Sequence, residues 1–381
     1  MLELADVEAA RERVAETARH TPLEYSHSFS AMTGAAVHLK LETFQRTGAF
    51  KIRGATNRIA TLSEAEREAG VVTASAGNHA QGVALAASRI GVDSKIVMPE
   101  DAPIAKVKAT RSYGGEVVLH GVDYDEAERR AHEIEREEGR YYVHAFDDPM
   151  VMAGQGTIGL EIVEDLPEVK TVVVPIGGGG LISGIATAVK GLKPDARVVG
   201  VQAEGAASVP ESLKKGERVV RDSVDTIADG IATRTVGERT FEVIRERVDE
   251  VVTVTDDEIA VALALLLERA KTLVEGAGAV PLAALLEDTF EYDDGETIVP
   301  VLSGGNIDLN TLTTVIVRGL AATGRYLRIR TVLHDRPGAL EEFVAIVAEA
   351  GANIYAIQHD RTSRDVAMKD AEIEVDLETR G

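Results

Sequence analysis

The chain contains no cysteine. Disulfides, zinc-thiolate sites and cysteine nucleophiles are therefore excluded. Lysine is scarce, 12 residues against 29 arginines, while Asp and Glu number 63. The formal net charge of -22 opposes binding to nucleic acid and to anionic membrane surfaces. The same excess of acid over lysine is expected of a salt-adapted surface or, more plainly, of an acidic cytosolic enzyme. No long apolar run occurs. The longest is Ile259 to Leu267, closed by Glu258 and Glu268, whereas a bilayer span needs about 20 apolar residues. The N-terminus, MLELADVEAARERVAETARH, has no apolar h-region. No signal peptide is expected, and the cytoplasm is the default location.

What is present suits a large globular protein. Hydrophobic residues make up 45% of 381, enough for a sizeable core and roughly two to three domains. Val/Ile-rich runs alternate with helical patterns. GVVTASAG (70–77), SKIVMPE (94–100), GEVVLHG (115–121), TVVVPIGGGG (171–180), RVVGVQAE (197–204) and ETIVPVLSGGN (296–306) read as strands. Helices are expected from about Gln81 to Arg89 and over 123–139. This order predicts an α/β fold with parallel sheet covered on both faces. Ligands in such folds sit at the carboxyl ends of strands. The turns 75–79, 177–180 and 303–306 fall there. After about residue 320 the pattern changes to strand, helix, strand, strand, which predicts a separate small α+β module.

Three segments carry polar chemistry. Gly177, Gly178, Gly179 and Gly180 link a strand to a helix, where backbone N–H groups and the helix dipole favour a phosphate. Four glycines exceed what a turn needs. Ile182 and Ser183 break the G-x-G-x-x-G spacing, and no G-x-x-x-x-G-K-[ST] occurs. Lys51 stands among Phe50, Ile52 and small residues. Desolvation there lowers an amine's pKa and readies it for Schiff-base formation; alone, the residue reads better as a snorkelling surface lysine. Ser75-Ala76-Gly77-Asn78-His79 closes a strand. Thr73 stands where a G-x-S-x-G elbow needs glycine, so a hydrolase triad is a poor reading. Asn78 and His79 either cap a helix or supply polar groups to a ligand, Asn78 offering an amide to a phenolic oxygen.

FKIRGA (50–55), SAGNHAQG (75–82), AGQGTIGLEI (153–162), GGGGLISG (177–184), TIADGIA (226–232), VEGAGA (274–279) and LSGGN (302–306) together resemble the threonine ammonia-lyase (threonine dehydratase) branch of the fold-type II pyridoxal-phosphate enzymes. The likeness covers residues 1–320. It implies a two-lobed catalytic domain with parallel sheets, its small lobe inserted at about 47–150. It implies pyridoxal 5'-phosphate as cofactor and Lys51 as the Schiff-base lysine and catalytic base. Asn78 would meet the ring hydroxyl, Gly177 to Leu181 the phosphate, and Ser303 the ring nitrogen. Phe50 and Gly230 would flank the ring, while Ser75, Gly77 and His79 would receive the substrate carboxylate. The implied reaction is β-elimination from L-threonine to 2-oxobutanoate and ammonia, with side activity on L-serine, in a homo-oligomer.

Departures sharpen this. Ala49 replaces a serine that many relatives carry. Ala76 stands where racemases of the branch carry an opposite-face serine, and the acids of their divalent-metal site lie near the positions of Gln202 and Ser208, both neutral here. Racemisation is demoted and no metal is expected. A serine dehydratase, or an amino-acid sensor with a silent enzyme domain, stays open. In the tail, His334-Asp335-Arg336-Pro337-Gly338-Ala339-Leu340 resembles the D-x-P-G-x-L of ACT domains. The likeness implies a regulatory module over 325–381 that binds an amino-acid effector and lacks the last helix and strand of that fold. Pro337 suits a first helical turn, and Gly338 permits close backbone approach.

Overall fold

A computed structural model of the chain describes residues 1–363 and 365–380. Two units emerge: Met1–Ile307, and the residues from Asp308 onward. The first holds two sheets. The larger is built from β1 (Leu23–Tyr25), β2 (Ala36–Leu41), β7 (Thr171–Pro175), β8 (Arg197–Ala203), β9 (Glu250–Val254) and β10 (Thr297–Leu302), in the order β1-β2-β10-β7-β8-β9. All pairs are parallel except β1 with β2. The smaller is fully parallel, β5-β4-β3-β6, from β3 (Val71–Ala74), β4 (Ser94–Met98), β5 (Glu116–Leu119) and β6 (Tyr141–Tyr142). β7 reads TVVVP and is buried at every residue, as both-face burial of a parallel strand requires.

Each sheet has its own core. One gathers Val172, Val174, Ile182, Ile185, Val299 and Val301; the other gathers Ile52, Ile59, Val71, Val83, Ile96 and Met98. Helix Pro149–Asp165 packs on helix Gly180–Leu192 so closely that a Cβ at Gly184 would lie 2.2 Å from the Met152 carbonyl oxygen. The glycines of AGQGTIG and LISG therefore serve helix contact.

Strands β1 and β2 escape the Val/Ile pattern because their residues are mixed, LEY and AVHLKL. In β2 the polar Lys40 is fully buried and satisfied by Glu161 at 2.6 Å and the Thr21 carbonyl at 2.8 Å. It belongs to a neutral buried quartet with Glu42, Arg53 and Glu161. Arg53 donates to both carboxylates, to Thr157 Oγ1 and to the Arg19 carbonyl. The quartet ties the helix that begins at Lys51 (Lys51–Ala60) to helix Pro149–Asp165.

The second unit comprises helix Leu309–Ala322, β11 (Tyr326–His334), helix Ala339–Glu349, β12 (Asn353–Asp360) and β13 (Asp370–Glu378). Its sheet is antiparallel, β11-β13-β12. Along β13, Ala371, Ile373, Val375 and Leu377 are buried, while Glu374 and Asp376 pair with Arg330 and Arg328. Sequence patterning sets the boundary at residues 320–325; contacts set it at Ile307/Asp308. The difference is helix Leu309–Ala322, which extends the helical pattern of the first unit yet packs against β11. Among the described residues, no helix is long and apolar enough to cross a membrane.

Candidate active site

The carboxyl ends of β3, β7 and β10 open on one cavity of about 650 Å³, a size that holds a cofactor and a small substrate together. Phe50, Lys51, Ser75, Gly77, Asn78, His79, Gly177, Gly178, Gly179, Gly180, Leu181, Gly230 and Ser303 all line it. The structure thus brings the residues expected around the cofactor and the substrate carboxylate to one cavity.

Lys51 opens its helix, and the segment before it is pinned to the turn after β10. Phe50 N donates to Ser303 O at 3.0 Å and Gly305 N to Gly48 O at 2.8 Å. The lysine Nζ donates to the Ala145 carbonyl at 2.9 Å and lies 5.1 Å from the Phe50 ring centroid. Burial lowers its pKa to about 8 against the opposing pull of Glu275. A substantial neutral fraction of this amine therefore exists near pH 7 to 8.

The glycine turn is more than a phosphate signal. A Cβ at Gly178 would sit 2.3 Å from the Phe146 ring, and Gly179 has φ +93° with Thr240 at 2.8 Å from a Cβ position. Packing thus demands glycines here, and their number alone is no measure of a phosphate site. The helix they start, Gly180–Leu192, still points its unpaired first-turn N–H groups at the cavity end.

The Asn78 helix starts at Asn78 itself, three residues before the expected Gln81, with Gly77 as N-cap. Neither Asn78 nor His79 caps it by side chain. Asn78 Nδ2 donates to Glu275 Oε1 at 2.7 Å, and its Oδ1 accepts from Asn306 Nδ2 at 2.8 Å. His79 Nε2 faces the Val143 carbonyl at 3.0 Å. A carbonyl only accepts, so the proton is on Nε2 and Nδ1 bears a lone pair with no protein partner. Burial and nearby Lys51 hold this imidazole neutral, its pKa pushed down to about 3. The His79 side chain therefore offers no donor to a carboxylate; the backbone N–H groups of its helix end do.

Sequence reasoning missed Glu275, Asn306 and the run His144–Asp148. Glu275 is half-buried and lines the cavity. Burial pushes its pKa up to about 7, although the hydrogen bond from Asn78 favours the anion. The signal was a lone acid in the otherwise apolar and small VEGAGA. In the other run, His144 Nδ1 accepts from Phe146 N and Asp147 N. Asp147 caps helix Glu238–Arg247 through the N–H groups of Glu238, Arg239 and Thr240, while Asp148 caps helix Pro149–Asp165. These residues hold the Ala145 carbonyl and the Phe146 ring in place. Gln202 is buried and accepts from Val209 N at 2.8 Å. Among the described residues no cluster of three His, Asp or Glu could hold a metal ion.

These features fit pyridoxal phosphate: a half-buried, low-pKa lysine, a glycine turn at a helix start, and Asn78 and Ser303 on the same cavity. Comparisons agree. Residues 14–304 match the model of the family described as pyridoxal-phosphate dependent enzyme. The L-threonine ammonia-lyase of Geobacter sulfurreducens is 51% identical over 381 residues, all of this chain and 94% of that protein. The processed form of threonine deaminase isoform 2 from Solanum lycopersicum superposes with a TM-score of 0.79 at 43% identity, covering 82% of this chain and 91% of the other. Maize serine racemase gives 0.79 at 37% identity, covering 84% and 99%. A half-buried lysine sharing a cavity with a glycine turn, in a chain matched over most of its length, places this protein in the family of pyridoxal-phosphate-dependent enzymes.

Proposed function

We infer that the protein is a threonine ammonia-lyase, converting L-threonine to 2-oxobutanoate and ammonia. The observation that carries this is the half-buried Lys51 amine, its pKa lowered to about 8, in a cavity lined by Asn78, Ser303 and the glycine turn. The full-length likeness to the Geobacter enzyme supplies the substrate. Bound pyridoxal phosphate supplies an electron sink for charge developing at the substrate Cα.

The chain's own groups do the rest. Phe50 and Gly230 would wall the ring, Gly177 to Leu181 would hold the phosphate, and Asn78 would meet the ring hydroxyl, since all of them line the one cavity. The backbone N–H groups at the start of the Asn78 helix, with Ser75 and Gly77, receive the substrate carboxylate. Lys51 takes the proton from Cα as general base. The hydroxyl leaves Cβ as water, its added proton balancing the one that Lys51 takes from Cα. The released enamine takes up water and gives 2-oxobutanoate and ammonia. Ser303, which lines the same cavity, would face the ring nitrogen, where a hydroxyl would hold a proton less firmly than an aspartate; that suits elimination.

Threonine and serine differ by one methyl, worth about 1–3 kcal/mol of discrimination, so both react and threonine leads. The likeness to maize serine racemase favours a second reading. Ala76 argues against it, since a methyl group can neither give nor take a proton on the opposite face. A keto-acid assay on both substrates, with a chiral assay for D-serine, tests the choice. Keto acid without D-serine supports the lyase; D-serine as main product overturns it. The second unit is read as an amino-acid-binding regulator and the enzyme as a cytoplasmic homo-oligomer. Isoleucine or valine that changes neither activity nor melting temperature would count against the regulatory reading.

A further inference from the structure

We propose that Asn306 is a positioning residue: with Glu275 it fixes the polarity of the Asn78 amide, so that one Asn78 N–H is left pointing at the cofactor's ring oxygen. The inference rests on reading Asn78 as that oxygen's partner.

The polarity starts at the backbone. Asn306 Nδ2 donates to the Thr47 carbonyl at 2.7 Å. A carbonyl oxygen only accepts, so this contact fixes which end of the Asn306 amide is nitrogen. The second N–H of the same nitrogen donates to Asn78 Oδ1 at 2.8 Å. That contact fixes Asn78 in turn, because a flipped Asn78 would oppose nitrogen to nitrogen. Asn78 Nδ2 then spends one N–H on Glu275 Oε1 at 2.7 Å and retains one on the cavity it lines. Glu275 is itself held by the backbone N–H of Asn306. Three side chains and one carbonyl thus form a directed chain, running from the segment that carries Lys51 to the ring oxygen.

Space for the chain is cut into neighbouring backbone. A Cβ at Gly48 would lie 2.5 Å from Asn306 Oδ1, and one at Gly304 would lie 2.5 Å from Glu275 Oε1. Gly48 also has φ +72°. The glycines of T-G-A-F-K and L-S-G-G-N therefore admit this polar chain. The role passes through Asn78, so Asn306 need touch neither substrate nor cofactor.

The test compares apoprotein variants by equilibrium dialysis with pyridoxal phosphate, together with the visible spectrum of the bound cofactor and the melting temperature of the apoprotein. Asn306→Asp keeps shape but offers only acceptors to Thr47 O and Asn78 Oδ1. It should weaken cofactor binding about tenfold, the worth of one neutral hydrogen bond, and shift the spectrum. Glu275→Gln keeps an acceptor for Asn78 and should stay within about threefold of wild type on the same scale, whereas Glu275→Leu should lose about tenfold. The Glu275 pair decides the matter if Asn306→Asp does not fold. Wild-type affinity and spectrum in Asn306→Asp, or equal affinity in Glu275→Gln and Glu275→Leu, overturns the proposal. Asn78→Ala separates the two layers. If it binds as wild type, the reading of Asn78 fails; if it binds weakly while Asn306→Asp does not, only the polarity chain fails.

Discussion

Replacing Arg53 by methionine should destabilise the catalytic unit while leaving the cavity lining chemically intact. Arg53 is 1% exposed and lies two residues beyond Lys51 on the same helix. Its guanidinium makes two hydrogen bonds to Glu42, two to Glu161, one to Thr157 and one to the Arg19 carbonyl. With it, Lys40, Glu42 and Glu161 form a quartet of zero net charge; without it, two buried carboxylates share one ammonium. Removing one partner of a buried ion pair costs about 3–5 kcal/mol. Unfolding entropy is about 2.1 cal/mol/K per residue, so over Met1–Ile307 it is roughly 0.6 kcal/mol/K. The apoprotein's melting temperature should therefore fall by about 5–8 °C in calorimetry. Arg53→Lys keeps the charge but has three donors for six contacts, and should lose roughly half as much. A change within about 1 °C for Arg53→Met would refute the view that this quartet anchors the Lys51 helix.

Gly178→Ala should weaken cofactor binding at least about tenfold, because its Cβ would meet the Phe146 ring; unchanged affinity by dialysis would show that the ring moves freely. Apoprotein should combine with pyridoxal phosphate faster as pH rises through about 8, where Lys51 loses its proton; a stopped-flow rate flat from pH 6 to 10 contradicts the assigned pKa. Glu275 has a folded pKa of about 7, raised from 4.5. Its contribution to stability is full below pH 4.5 and is lost as pH rises through 7. Glu275→Gln should flatten that part of the apoprotein's melting-temperature profile, and an unaltered slope would reject the assignment. The melting temperature should rise with molar KCl if the charge of -22 reflects salt adaptation; a flat response points to an ordinary acidic enzyme.

Legibility varied with how local the physics was. The Val-rich β7 is buried on both faces, and its composition says so. β2 buries Lys40, a placement that depends on Glu161, 121 residues away; no local pattern predicts such a partner. Lys51, Asn78, the glycine turn and Ser303 could be singled out because each stands in a distinctive motif. Asn306 closes one of those motifs, yet its role depends on the Thr47 carbonyl and on Asn78 Oδ1, contacts made only by the fold. Glu275 was legible in principle as one acid amid VEGAGA. His79 looked like a carboxylate ligand, but the Val143 carbonyl takes its N–H.

Lys51 as the residue that binds the cofactor can be tested by covalent trapping. The holoprotein is reduced with borohydride, digested and mapped by mass spectrometry. The pyridoxyl group should be found on the peptide containing Phe50-Lys51-Ile52 and on none of the other lysines. Label on a different lysine, or protein that stays colourless with pyridoxal phosphate and yields no labelled peptide, would contradict the account.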